Sequence, residues 1–135
     1  MTINPISPDY FLPDRFRGKT ILITGSATGI GAATAIRAAR EGANVACVDK
    51  KERALRATVS GIASEGNVAM AILADVSSTA DADQMVADTV STFGRLDLAL
   101  NAAGVMDGTD PSKPHDFGRD AHLMPKPIHE ANDEY

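Results

Sequence analysis

The sequence predicts an α/β fold in which helices cover a parallel sheet. Between residues 20 and 104, short apolar runs alternate with segments of helical period. The predicted strands, such as NVACVD at 44–49 and VAMAILA at 68–74, are mostly continuous apolar runs, which is typical of strands buried on both faces of a parallel sheet. With right-handed crossovers, the order β-α-β-α-β-α-β predicts the first half of a doubly wound sheet with strand order 3-2-1-4.

The predicted elements follow one another with short connections. Strands are expected at residues 20–24, 44–49, 68–74 and 96–100, and helices at residues 30–41, 51–63 and 78–93. Gly42 and Gly94 end the first and third helices, because glycine readily takes the left-handed conformation that follows a helix. Leu55, Val59 and Ile62 give the second helix one apolar face at i, i+4 and i+7.

The third helix carries its own start signal and an apolar stripe. Ser78 and Asp81 are placed as a capping box at its N-terminus. Apolar residues then recur every three or four positions, which is a helical period, and are expected to pack on the sheet. They are Ala82, Val86, Val90 and Phe93.

The composition is that of an ordinary globular domain. The 135 residues are 44% hydrophobic and 23% charged, with a net charge of −5. This acidic balance argues against a nucleic acid or an anionic membrane as partner. No apolar run approaches the ~20 residues that span a bilayer, and the first residues lack the features of a signal peptide, so we expect a cytoplasmic location. Cys47, the only cysteine, is predicted to be a small buried side chain.

Three segments differ in composition. Residues 1–19 form a Pro-rich lead-in arm, residues 20–104 the βαβαβαβ half-domain, and residues 105–135 a Pro-rich loop or tail. The tail contains His115, His122 and His129 at intervals of seven residues. Metal ligation would need a continuous helix to align them, and prolines in the tail interrupt such a helix, so solvated loop histidines are favoured and no metal is expected.

The stretch ILITGSATGIG at residues 21–31 predicts a dinucleotide-binding turn. Its glycines lie between a predicted strand and a predicted helix, the context that gives such a motif its meaning. Gly25 allows a tight turn, Gly29 lets a pyrophosphate approach the backbone, and Gly31 allows the helix to pack closely on the strand. The helix start offers free N–H groups and the positive end of its dipole to the phosphates. An ordinary turn that uses glycine only for its φ angles is the alternative.

Asp49 is the acidic partner of this turn. It ends the second predicted strand, where its carboxylate can accept hydrogen bonds from both adenosine ribose hydroxyls and repel a 2′-phosphate. The sequence therefore favours NAD over NADP as the cofactor. Lys50 and Lys51 follow directly and weaken this preference. Asp49 as a turn residue that only opens the next helix remains the alternative.

Four motifs together resemble the short-chain dehydrogenase/reductase family. TGSATGIG at 24–31 is similar to its TGxxxGxG signature, ADVS at 74–77 to its D-V pair, and NAAG at 101–104 to its NNAG motif. RFRGKT at 15–20 is similar to its lead-in to the first strand. The resemblance implies a Rossmann-type fold. It also implies a cofactor site made of Gly25, Ser26, Thr28, Gly29, Ile30, Gly31, Asp49, Asp75, Val76, Asn101, Ala102, Ala103 and Gly104.

The resemblance assigns these residues to parts of the dinucleotide. The glycine turn would contact the pyrophosphate, Asp75 and Val76 would flank the adenine, with Asp75 accepting from its exocyclic amine, and Asn101 and its neighbours would line the nicotinamide side. Ala102 replaces the second Asn of the motif, which removes one local hydrogen bond. Asp49 would bind the adenosine ribose.

The resemblance also implies a reaction, which is hydride transfer between nicotinamide and a secondary alcohol or ketone. The family uses a Ser and a Tyr-x-x-x-Lys pair downstream of NNAG. The two tyrosines here, Tyr10 and Tyr135, begin no such pair, so no catalytic residue is expected and this chain alone is predicted to be inactive.

The predicted half-sheet stops after its fourth strand, whose edge would be unpaired. We expect a fragment of a longer enzyme. The alternative is a catalytically inactive, truncated module that acts in nucleotide binding or protein association. A homo-oligomer is expected, and in the second case its copies would associate through the fourth strand.

Overall fold

The computed structural model describes Tyr10 and residues 12–104, and the residues up to Ala103 belong to one compact unit. The predicted tail at 105–135, with its three histidines, and residues 1–9 and 11 of the lead-in arm lie outside the described residues. Among the described residues, no group of three His, Cys, Asp or Glu side chains is arranged to hold a metal ion.

The described residues form a four-stranded parallel sheet with three helices. The elements are β1 (Thr20–Thr24), α1 (Gly29–Arg40), β2 (Asn44–Asp49), α2 (Glu52–Ser64), β3 (Ala69–Leu73), α3 (Thr79–Phe93) and β4 (Leu98–Asn101). The strand order is β3-β2-β1-β4, and every pairing is parallel. The predicted fold class and strand order are therefore confirmed, with boundaries shifted by one or two residues.

The two central strands carry the core. β1 is buried along its whole length and β2 at its four inner positions, as their continuous apolar sequences predict. One face of the sheet packs against α1 and α2, with Leu55 and Ile62 fully buried there. The other face packs against α3 through Met85 and Phe93. β3 and β4 are more exposed, because each is an edge strand in the described sheet.

The inward face of α3 differs from the predicted one. Val86 and Val90 remain 41% and 42% exposed, whereas Thr89 is buried and Met85 packs on the sheet. The prediction that Val86 and Val90 pack on the sheet was wrong. The side of α3 that faces the described sheet contains Met85, Thr89 and Phe93 instead. Phe93 packs inward as predicted.

Only one of the two hydrogen bonds of the predicted capping box at α3 is present. The Ser78 hydroxyl accepts from the Asp81 backbone N–H at 3.2 Å. The Asp81 carboxylate does not return this bond to the Ser78 backbone; it accepts from the Asp75 backbone N–H at 2.9 Å and from the Ser78 hydroxyl at 3.2 Å. The N-terminus of α3 is thereby tied to the loop that follows β3.

Glu41 anchors the lead-in segment at the C-terminal end of α1. Its side chain is fully buried and accepts hydrogen bonds from the Leu12 backbone at 3.2 Å, from Arg15 at 2.6 Å and from Arg37 at 2.8 Å. Its carbonyl oxygen accepts from the Phe16 backbone at 2.8 Å. Burial raises the pKa of Glu41, but the hydrogen bonds from Arg37, from the Leu12 backbone and from Arg15, together with the charge of Arg15, outweigh burial and lower it.

Asp97 joins the starts of β1 and β4. It accepts from the Thr20 backbone N–H at 2.8 Å and from Arg95 at 2.6 and 2.8 Å. The Arg95 hydrogen bond is the main reason that the pKa of Asp97 falls from 3.8 to about 2, and the Thr20 bond contributes next. The starts of β1 and β4 are thus joined by a carboxylate that the folded state favours in its ionised form.

Cys47 lies inside β2 and is fully buried, as its sequence context predicts. Burial raises the pKa of its thiol to about 11, so the thiol stays protonated at neutral pH. None of the helices in the described residues combines the length and the apolar character that crossing a membrane requires.

Candidate functional site

The candidate site lies at the carboxyl edge of the sheet, where the loops after all four described strands meet. Chain order reverses between β1 and β4, since β2 lies on one side of β1 and β4 on the other. In open parallel sheets, ligands bind in the crevice outside such a reversal. The thirteen residues that the sequence nominated lie in these loops, at the last positions of β2 and β4, or in the first turn of α1.

At Gly25 the loop after β1 passes directly against the loop after β4. Its φ is +70°, a left-handed conformation that strains other residues. A Cβ built on Gly25 would lie 2.7 Å from the Ala102 carbonyl oxygen and 2.7 Å from the Ala103 nitrogen. Glycine is therefore needed here both for the turn and for the peptide between Ala102 and Ala103 that passes against it.

Gly31 and Gly29 serve different purposes. A Cβ on Gly31 would lie 2.2 Å from the carbonyl oxygen of Gly25. Glycine at this position therefore lets α1 pack closely on the turn, whereas the sequence analysis expected it to allow packing on the strand. Gly29 has a φ of +60°, and its hypothetical Cβ meets no atom within 4 Å. The space in front of Gly29 is open, which suits the approach of a ligand.

The N-terminus of α1 is open to a ligand. Thr28 is its N-cap residue, but the Thr28 side chain makes no capping hydrogen bond, and the first turn contains no acidic residue. Thr28 and Gly29 are exposed, and Ile30 is 80% exposed. The first N–H groups of a helix lack partners within the helix and attract anions. This end of α1 thus offers N–H donors for which the Thr28 side chain does not compete.

Ser26 holds the turn in place rather than facing the crevice. It is fully buried, and both its backbone N–H and its hydroxyl donate to the Val48 carbonyl oxygen, at 3.1 and 3.2 Å. Its side chain therefore points toward the end of β2. A cofactor contact through Ser26 remains a prediction and would have to be indirect.

Asp49 connects the glycine turn with the start of α2. Its Oδ2 atom accepts from the Ala27 backbone N–H at 3.1 Å, and its Oδ1 atom accepts from the Lys51 backbone N–H at 2.9 Å. The second bond is the helix-opening role that the sequence left as an alternative. A carboxylate has roughly four acceptor positions, so the half-buried Asp49 keeps room for two ligand hydroxyls.

Asp75 lies next to Asp49 along the same edge. Its Oδ1 atom accepts from the Ser77 backbone at 3.0 Å and from the Ser77 hydroxyl at 2.7 Å. The Lys50 ammonium lies 3.7 Å from its Oδ2 atom. The Ser77 backbone bond is the main cause of a lowered pKa at Asp75. Val76, 47% exposed, offers an apolar surface beside this carboxylate.

The loop after β4 is fixed by a residue that the sequence analysis did not nominate. The Thr24 hydroxyl accepts from the Ala103 backbone N–H at 3.2 Å, and Thr24 is buried at the end of β1. Asn101 pairs with Thr24 across the sheet and is exposed. Gly104 is also exposed. The available signal for Thr24 was a hydroxyl residue at the end of β1, directly before the glycine turn.

The parallel sheet, the glycine turn against the loop after β4 and the carboxylate at the end of β2 define the first half of a Rossmann-type fold. The chain belongs to the short-chain dehydrogenase family, whose model, described as short chain dehydrogenase, matches residues 19–122. The strand order and the four sequence motifs agree with this assignment.

Individual relatives agree with the family. An uncharacterised oxidoreductase of Thermotoga maritima is 46% identical over 91 residues, which is 67% of this chain and 36% of that protein. A short chain dehydrogenase from Mycobacterium smegmatis superimposes with a TM-score of 0.70 at 35% identity, over 84% of this chain and 48% of that one.

A third relative carries a cofactor. A short-chain dehydrogenase/reductase from Burkholderia phymatum, solved in complex with NAD, matches with a TM-score of 0.67 at 33% identity, over 68% of this chain and 33% of that one. The chain spans about a third of the length of the curated relatives that it matches.

Proposed function

We propose that these residues form the cofactor-binding half of an NAD-preferring short-chain oxidoreductase. The whole protein would transfer a hydride between nicotinamide and a secondary alcohol or ketone. Bound nicotinamide supplies the hydride chemistry, and the residues described here bind and orient the dinucleotide. Membership of the short-chain dehydrogenase family and the NAD complex of a relative support this assignment.

The observation that carries the proposal is the position of Asp49 beside the open start of α1. Oδ2 of Asp49 is held by the Ala27 N–H, three residues before Ile30 in the first turn of α1. The same turn therefore offers N–H donors to a pyrophosphate and fixes a carboxylate for the ribose that follows it. N–H donors for a phosphate beside a carboxylate for ribose hydroxyls are the two groups that an adenosine diphosphate moiety needs.

The negative charge of Asp49 underlies the expected preference for NAD. A 2′-phosphate would lie against a carboxylate whose two oxygens are already oriented by backbone donors. Such a carboxylate cannot turn away without losing both bonds. The repulsion therefore acts on NADP but not on NAD.

Hydride transfer itself needs groups outside this site. No Tyr-x-x-x-Lys sequence occurs among the 135 residues, so we expect dinucleotide binding without turnover from this chain, measured as the absence of NADH formation with secondary alcohols. A second function is an inactive module that associates through β4. The 45% exposure of Leu98 on that strand favours it, and light scattering of the purified chain would detect the oligomer.

The proposal is tested by the affinities of NAD and NADP. We would measure both dissociation constants by calorimetry for the wild type, for Asp49→Asn and for the control Asp83→Asn, which removes a carboxylate on the exposed side of α3. The wild type should bind NAD more tightly. Asp49→Asn should weaken the binding of NAD about tenfold, because a charged hydrogen bond is lost. It should also reduce the difference in affinity between NAD and NADP.

Two results would count against the proposal. If the wild type binds neither dinucleotide, the cofactor site is refuted. If Asp49→Asn and Asp83→Asn change the NAD to NADP ratio equally, Asp49 does not set the preference.

A further inference from the structure

Lys50 and Asp75 meet just beyond the paired ends of two strands. Asp49 and Leu73 are the last partners of β2 and β3, and the chain of each strand continues from there into the crevice. The Lys50 Nζ atom lies 3.7 Å from Oδ2 of Asp75. Oδ1 of Asp75 is taken by the backbone and hydroxyl of Ser77. Both oxygens of this carboxylate therefore have partners within the protein itself.

The two partners of Asp75 differ in how readily they can leave. Ser77 is two residues away and bonds through its backbone as well as its hydroxyl. The Lys50 side chain is 64% exposed and ends a flexible four-carbon stem. A ligand that donates to Asp75 would therefore replace Lys50 rather than Ser77.

Lys50 would consequently change which purine the site accepts. The exocyclic amine of adenine and the Lys50 ammonium are both hydrogen-bond donors, so they compete for Oδ2 of Asp75. A purine with a carbonyl oxygen in place of the amine would be repelled by Asp75 alone. The same carbonyl can instead accept a hydrogen bond from Lys50.

We propose that Lys50 is a specificity-determining residue for the purine ring, which relaxes the preference of the site for adenine over a 6-oxopurine. The inference rests on the proposed function, because it requires the purine to lie against Asp75. The proposed function concerns the pyrophosphate and the ribose, whereas this inference assigns to Lys50 a role at the purine base.

A pair of dinucleotides isolates this contact. NAD and nicotinamide hypoxanthine dinucleotide share their phosphates and riboses and differ in the purine, which carries an amine in one and a carbonyl in the other. The ratio of their dissociation constants therefore cancels the long-range attraction of a lysine for phosphate. We would measure the ratio by calorimetry for the wild type, for Lys50→Met and for Lys51→Met, which removes the same charge one residue further on.

Lys50→Met should raise the preference for NAD over the hypoxanthine dinucleotide about fivefold, the scale of an exposed ion pair, and Lys51→Met should leave it unchanged. An unchanged ratio in Lys50→Met with NAD still bound, or an equal rise in Lys51→Met, would overturn the role of Lys50 and leave the proposed function intact. Failure of the wild type to bind either dinucleotide would overturn both.

Discussion

The Oδ2 atom of Asp49 accepts a hydrogen bond from the backbone nitrogen of Ala27 at 3.1 Å. This bond joins the end of β2 to the glycine turn after β1, across 22 residues of sequence. Asp49 is therefore oriented by the same loop that opens the N-terminus of α1. The carboxylate that positions the turn is thus the same one to which we assign the choice of cofactor.

The first prediction concerns the close packing of α1 on the turn. Gly31→Ala should destabilise the fold by about 1–3 kcal/mol, the usual cost of overpacking, because the new Cβ would lie 2.2 Å from the Gly25 carbonyl oxygen. Gly61→Ala is the matched control, since it lies within α2 and its Cβ would meet nothing within 4 Å. It should stabilise the fold by about 0.5–1 kcal/mol. Urea unfolding measures the change in unfolding free energy for both variants. The same change in both would contradict the packing account.

The second prediction compares two buried hydroxyls on β1. Thr24→Val removes the acceptor of the Ala103 N–H and should cost about 1 kcal/mol of unfolding free energy. The Thr20 hydroxyl is buried and has no hydrogen-bond partner among the described residues. Thr20→Val should therefore stabilise the protein by about 1 kcal/mol, because a buried unpaired polar group is removed. Thermal melts check the opposite signs, and two changes of the same sign would refute the assignment.

The third prediction concerns the anchor of the lead-in segment. Glu41→Gln keeps the shape of the side chain but removes the charge that Arg15 and Arg37 contact. It should lower the unfolding free energy by about 1–3 kcal/mol, since charged hydrogen bonds to a buried group are lost. Glu65→Gln, at an exposed ion pair with Arg40, should change the urea midpoint far less. A larger effect at Glu65 would contradict this ranking.

The fourth prediction is the pH dependence that Asp97 contributes. Its folded-state pKa of about 2 lies below the ordinary value of 3.8, so the folded state favours the ionised form. Asp97 therefore stabilises the fold fully above its ordinary pKa, and this contribution disappears as the pH falls toward the folded-state pKa. The stability difference between the wild type and Asp97→Asn should shrink between about pH 5 and about pH 2. Urea midpoints measure it, and a difference that stays constant would disprove the linkage.

Much of the fold could be predicted because its determinants are local. Apolar runs identified β1 and β2, and glycines marked the ends of α1 and α3. The packed flank of α3 could not be predicted in the same way. Val86 and Thr89 lie roughly 60° apart around the helix axis, so a small rotation of α3 against the sheet decides which of the two is buried.

The site shows the same division between local and distant information. The glycine pattern and Asp49 could be read from sequence because their spacing is fixed by the βαβ unit. The inward turn of Ser26 toward Val48 could not, since it depends on where β2 ends beside the turn. The pairing of Lys50 with Asp75 likewise depends on the register between β2 and β3.

The central claim is that the crevice between the start of α1 and Asp49 binds a dinucleotide. The most direct test is a titration of the isotopically labelled protein with NAD, followed through its backbone amide resonances. The account predicts saturable shifts at Ile30, Gly31 and Lys51, and none at Gly61 on the exposed side of α2. Shifts that avoid the start of α1, or no saturable shift at all, would contradict it.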